Sequence, residues 1–79
     1  MLTYDQIAAR IGFAFPPLPC SIQIHDYGAK LRFKVFDENG RGIISIMNAP
    51  LRRFRNEKDL ENILEEVRGS IRKKGYKLN

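Results

Sequence analysis

Seventy-nine residues make one domain around one core, since a chain of this size buries only about 60 to 65% of the surface its unfolded form exposes. Hydrophobic content of 43% and charged content of 29% exclude a disordered tail. No apolar run approaches the roughly 20 residues of a membrane span, and residues 1–11 are too polar for a signal peptide, so a cytoplasmic protein with no membrane partner is expected. The single cysteine, Cys20, excludes an internal disulfide, and a net charge of +5 suits an anionic partner but serves solubility equally well.

Thr3 has the character of a helix N-cap, with Gln6 at capping-box spacing, which predicts a first helix over residues 4–11. Ile7, Ala8 and Ile11 form its inward side, and Gly12 is placed to end it in the left-handed C′ conformation. The following Phe13-Ala14-Phe15-Pro16-Pro17-Leu18-Pro19 contains three prolines. It is expected to cross the domain in an extended conformation, anchored in the core by Phe13, Phe15 and Leu18.

From Cys20 the hydrophobic period becomes two. Cys20, Ile22 and Ile24 alternate with Ser21, Gln23 and His25, a strand with one wet face. Asp26-Tyr27-Gly28 forms a turn. A second strand over residues 29–36 sets Leu31, Phe33 and Val35 against Lys30, Arg32 and Lys34, and Asp37-Glu38-Asn39-Gly40 supplies a hairpin turn. The third strand, residues 41–48, is apolar on both sides: Ile44 and Ile46 on one, Ile43 and Met47 on the other. Either a neighbouring element or a second subunit must cover the spare face. Ala49-Pro50-Leu51 is expected to break this strand.

The strongest helical pattern lies over residues 56–74. Leu60, Ile63, Leu64, Val67 and Ile71 make one apolar stripe, worth roughly 10 kcal/mol when buried at about 1.5 to 3 kcal/mol each. Asn56 is its N-cap, Glu57 and Asp59 suit the first turn, and Gly75 closes it. Tyr76 and Leu78 either fold back or fray. The predicted fold is α+β, in the order α-β-β-β-α, with a three-stranded antiparallel meander and both helices on the Leu31 face.

The run Phe15-Pro16-Pro17-Leu18-Pro19-Cys20 fits a pattern F-x-P-L-x-C. Together with residues 31–36, a turn ending Gly40-Arg41 and the helix from Leu60 to Arg68, it resembles a family of short bacterial proteins known only as a domain of unknown function. The resemblance spans residues 7–68 and implies the fold but no activity. Where that family has a second cysteine two places after the first, this chain has Ile22, against a metal or redox thiol pair. The match over residues 47–55 is loose, so the arginines there are particular to this chain.

Candidate chemistry is sparse. Cys20 and His25, the sole residues of their types, stand an odd number apart on one strand and so face opposite sides of the sheet, which denies a nucleophile its base. One cysteine, one histidine and no carboxylate cluster at ligand spacing offer no metal or cofactor site, and no phosphate-cradling glycine loop occurs. A non-enzymatic protein is expected.

The basic residues remain. Arg68, Arg72, Lys73, Lys74 and Lys77 suit a helix C-terminus. Lys30, Arg32 and Lys34 form an outward stripe; single-stranded nucleic acid would need stacking platforms as well, and the sequence offers only Phe36 and Tyr27. Arg52, Arg53 and Arg55 stand just ahead of a helix N-terminus, where they either build an anion site or pair with Glu57 and Asp59. The element order is also that of the double-stranded-RNA-binding domain, but that fold puts its lysines where this helix start is acidic, so the similarity is topological. The expectation is a binding module whose basic surface (Arg52, Arg53, Arg55, Lys30, Arg32, Lys34) takes nucleic acid or an acidic protein. The alternative is a homodimer across Phe36, Ile43 and Met47.

Overall fold

The computed structural model describes residues 1–25 and 27–78. Its elements are α1 (Tyr4–Gly12), β1 (Cys20–His25), β2 (Lys30–Phe36), β3 (Gly42–Pro50), a 3₁₀ turn (Leu51–Phe54) and α2 (Glu57–Lys73). The strands form one antiparallel sheet in the order β1-β2-β3. The α-β-β-β-α arrangement read from the hydrophobic periods is therefore the observed fold.

Local chemistry sets the helix starts. Thr3 Oγ1 accepts from the Gln6 amide at 3.2 Å and Gln6 Oε1 accepts from the Thr3 amide at 2.9 Å, a complete capping box. Asn56 Oδ1 accepts from the amides of Lys58 and Asp59 at 2.9 and 3.2 Å. Gly75, at φ 95°, follows the last turn of α2 as predicted. Gly12 does not take the corresponding role. It is the last helical residue of α1, and Phe13 ends the helix at φ −98° without a left-handed residue.

The proline-rich connection corrects a second expectation. Residues 13–19 turn and bend rather than extend. The Leu18 amide donates to the Phe15 carbonyl at 2.6 Å, closing a four-residue turn across Pro16 and Pro17, whose peptide bond is cis. Phe15 and Leu18, at the two ends of the turn, both enter the core, which a straight crossing would not allow. Phe13 lies before the turn and stays 84% exposed. It is not a core anchor.

The core fills the space between the helices and one sheet face. Leu31, Phe33 and Val35 of β2 are buried with Ile7 and Ile11 of α1, Leu51 and Phe54 of the 3₁₀ turn, and Leu60, Leu64, Val67 and Ile71 of α2. Phe15 and Phe33 stack with ring centroids 6.2 Å apart. Tyr76 and Leu78 fold back onto this cluster.

Strand β3 departs twice from simple alternation. Val35 pairs with Ile44 but Phe36 pairs with Gly42, leaving Ile43 as an extra residue. Phe33 pairs with Ile46 but Leu31 pairs with Ala49, so Met47 and Asn48 together stand opposite Arg32, with Asn48 at φ 54°. The bulge precedes the predicted break at Ala49-Pro50-Leu51; Ala49 and Pro50 still belong to the strand, which ends where the 3₁₀ turn begins at Leu51. Pro50 is tolerated because β3 is an edge strand.

Candidate ligand-binding surface

The outer face of the sheet is set by the even-numbered residues of β2. Lys30, Arg32, Lys34 and Phe36 project opposite to buried Leu31, Phe33 and Val35. In register with them on β1 are His25, Gln23 and Ser21, and Ser45 of β3 pairs with Lys34. Ser21, Gln23, Arg32, Lys34, Phe36 and Met47 border one shallow hollow of about 370 Å³. None of the three strands contains an aspartate or glutamate.

Arg32 is the most defined group on this face. Both Nε, at 2.7 Å, and Nη2 donate to Oε1 of its cross-strand neighbour Gln23. The guanidinium is held by a neutral amide, so its position is fixed while its full charge is kept. Phe36 lies across the bare backbone of Gly42, where an added Cβ would sit 3.9 Å from the ring. At the other end of the stripe, Tyr27 occupies the β1–β2 turn at φ 55° with its side chain fully exposed. Asp26, the first residue assigned to that turn, lies outside the described residues.

Gly28 holds in the same turn a positive φ that a residue with a Cβ takes only under strain. It sits at φ 85°, and a Cβ there would fall 2.6 Å from Tyr4 Oη, which donates to the Gly28 carbonyl at 3.5 Å.

The second arginine group lies on the 3₁₀ turn and its exit. Arg52 and Arg53 are exposed and Arg55 is half-buried. Of the two alternatives read from the sequence, pairing with Glu57 and Asp59 does not occur. Glu57 instead accepts from Arg10 at 2.9 Å, and among the described residues no carboxylate lies within 4.0 Å of Arg52, Arg53 or Arg55. Arg55 packs its guanidinium 5.0 Å from the centre of the Tyr4 ring. Asn56 occupies two of the free amides at the start of α2, so those are not open to an anion. Lys30, Arg52 and Arg55 nevertheless converge on one hollow of about 500 Å³ beside Pro50, which pairs with Lys30. The two predicted cationic groups therefore meet at this end of the sheet.

The residues of the expected dimer face separate. Phe36 and Met47 remain on the outer side, Met47 51% exposed, whereas Ile43, displaced by the bulge, packs against the core cluster.

Cys20 and His25 occupy the two ends of β1. Cys20 pairs with Val35 on the inner face, and Sγ lies 3.8 Å from the Ile11 carbonyl oxygen. Burial pushes its thiol up to about 11. His25 pairs with Lys30 and is half-buried rather than fully on the surface. Among the described residues no three His, Cys, Asp or Glu side chains gather at metal-binding distance, and no helix is long and apolar enough to cross a membrane.

The sequence does not single out Arg10, and marks Arg68 only as a cation suited to the helix C-terminus. Arg10 links α1 to α2 through Glu57 at 2.9 Å and Glu61 at 2.7 Å. Arg68 donates to Glu65 at 2.9 Å and lies 3.7 Å from Glu61, and Arg72 lies 3.7 Å from Glu65. Three of the acidic residues of α2, Glu57, Glu61 and Glu65, are thereby matched within the fold, and the sheet stripe and the 3₁₀ arginines take no part in these ion pairs.

In comparisons with family models, with curated proteins and with solved structures, nothing matches the chain. The resemblance drawn from the F-x-P-L-x-C run and the segments that accompany it therefore rests on the sequence pattern alone.

Proposed function

We infer that this protein is a non-catalytic binding module whose outer sheet face, continued by the 3₁₀ arginines, takes an acidic partner, either nucleic acid phosphate or an acidic protein surface. The observation that carries this reading is Arg32. A cation oriented by the neutral amide of Gln23, on strands without a single carboxylate, is positioned and not neutralised. Lys30 and Lys34 flank it on the same face, and Arg52 and Arg55 extend the positive surface past Lys30. The lone cysteine suits a reducing, cytoplasmic setting.

The homodimer reading has less support. Without Ile43 the shared face would offer Phe36 and Met47 while bringing two sets of lysine and arginine together. Titration of the protein with oligonucleotides and with polyglutamate over a salt series tests the binding reading. Expected is affinity that falls steeply with salt, and a shallower slope for Arg32→Gln and Lys34→Gln. Undetectable binding at low salt, or binding indifferent to salt, would remove it.

A further inference from the structure

Resting on that reading, we propose that the acidic partner is single-stranded nucleic acid, lying along β2 with its phosphates on Lys30, Arg32 and Lys34 and bases stacked on Tyr27 and Phe36. Charge complementarity gives the anion. The rings give the class. Exposed rings at the ends of a cationic stripe suit unstacked bases, each of which has a π face to lay on them, whereas a duplex hides those faces.

The placement of the two rings supports this. β2 is seven residues long, about 23 Å at 3.3 Å per residue. Tyr27 precedes it by a turn and Phe36 is its last residue, so the rings bracket the three cations. Phe36 lies across Gly42, which supplies a bare backbone beneath the ring. Tyr27 projects wholly into solvent, where its ring contributes nothing to the core. Between them the planar Arg32 guanidinium is braced from one edge by Gln23. A guanidinium fixed in this way offers its flat face to a base and its free N–H groups to a phosphate. Successive cations alternate with buried residues along the strand, a spacing of about 6.6 Å that an extended sugar-phosphate chain can follow. The face accommodates a run of about 4 nucleotides, the short end of the range for open β surfaces.

The test is fluorescence anisotropy of the full chain against labelled oligothymidylate, oligouridylate, a duplex of equal length and polyglutamate, all at low salt. Single strands should bind at least about tenfold more tightly than either the duplex or polyglutamate. Tyr27→Ala and Phe36→Leu should each weaken single-strand binding by roughly 5- to 100-fold and leave polyglutamate binding unchanged. Circular dichroism checks the fold of each variant. If Phe36→Leu unfolds by uncovering Gly42, Tyr27→Ala alone decides, since its ring is fully exposed. Equal affinity for single strands and duplex, or ring variants that bind as the parent does, would overturn the assignment to single strands while leaving an anion-binding face. No salt-dependent binding to any of the four probes would overturn both.

Discussion

Arg68 donates from Nε to the carbonyl oxygen of Ala14 at 3.0 Å, across 54 positions of sequence. Ala14 is buried near the start of the connection that follows α1, and this bond ties that connection to α2. The side chain of Arg68 is only 21% exposed, so the carbonyl has little access to replacement water.

Arg68→Met should therefore cost about 1 to 2 kcal/mol, lowering the melting temperature by about 4 to 8 °C per kcal/mol in a domain of this size. The loss should persist in high salt, because the acceptor is a neutral carbonyl. Arg10→Gln makes the contrast. Its partners are the exposed carboxylates Glu57 and Glu61, so whatever stability it loses at low salt should fade as salt is added. Urea unfolding of both variants at two salt concentrations separates the two behaviours; a salt-sensitive Arg68 effect would show that its ion pairs dominate.

The two phenylalanines on either side of Ala14 should respond oppositely. Phe15→Ala removes a fully buried ring stacked on Phe33 and should cost about 3 to 5 kcal/mol, enough to unfold a domain this small. Phe13→Ala, at 84% exposure, should change stability by no more than about 0.5 kcal/mol. Equal losses in thermal melts would contradict the turn that separates them.

That pair also marks the limit of what the sequence revealed. Capping at Thr3 and Asn56 and the alternation of Leu31, Phe33 and Val35 were readable because each depends on residues a few positions apart. The outward stripe of Lys30, Arg32 and Lys34 followed from the same alternation. What stayed hidden depends on distant partners or on a shift of one residue. Phe13 and Phe15 have the same chemistry, and only the turn closed between Phe15 and Leu18 sends one inside and leaves the other out. Ile43 has the outward parity of Met47, yet a bulge re-aims it toward the core. The Arg10 clasp joins residues 47 and 51 positions apart, beyond any local pattern. The Gln23–Arg32 contact was closer to reach, since hairpin register places the two opposite each other.

Asn48 tests the second bulge. At φ 54° it holds a left-handed conformation that asparagine tolerates and β-branched residues do not. Asn48→Gly should be neutral or slightly stabilising, while Asn48→Val should cost roughly 1 to 2 kcal/mol even though the side chain is exposed. Denaturant titration would detect the difference. Tolerance of valine would mean that β3 can pair with β2 without the bulge.

Acid should loosen the α1–α2 contact through Glu61. Its hydrogen bond from Arg10 holds the carboxyl below the usual carboxylate range, with smaller help from the charges of Arg10 and Arg68. The folded state thus keeps Glu61 ionised to lower pH than the unfolded chain does. This contribution is complete above the unfolded value of about 4.3, and is lost as pH falls through the lower folded value. The slope should be small because nearly half of the side chain faces water, at 48% exposure. Urea unfolding from about pH 6 to about pH 3, compared with Glu61→Gln, should show the parent losing more stability in the acid limb. Parallel curves would mean that the ion pair is silent.

Cys20 should be chemically quiet for a reason specific to its place on β1. Its side chain is on the inner face beside Val35, half-buried, and desolvation raises its thiol from 9.0 to about 11. At about pH 8 the thiolate fraction is then lower than in an unfolded chain by on the order of a hundredfold. Reaction with a disulfide reagent should be slower in the native protein by a factor of that order, and should rise to the unfolded rate in concentrated urea. Access through local opening would show as a native rate that follows stability across the core variants, Phe15→Ala reacting faster than Phe13→Ala. A native rate near that of a free thiol would place Cys20 at the surface, and with it would go the inward assignment of Ile22 and Ile24, which share its side of β1.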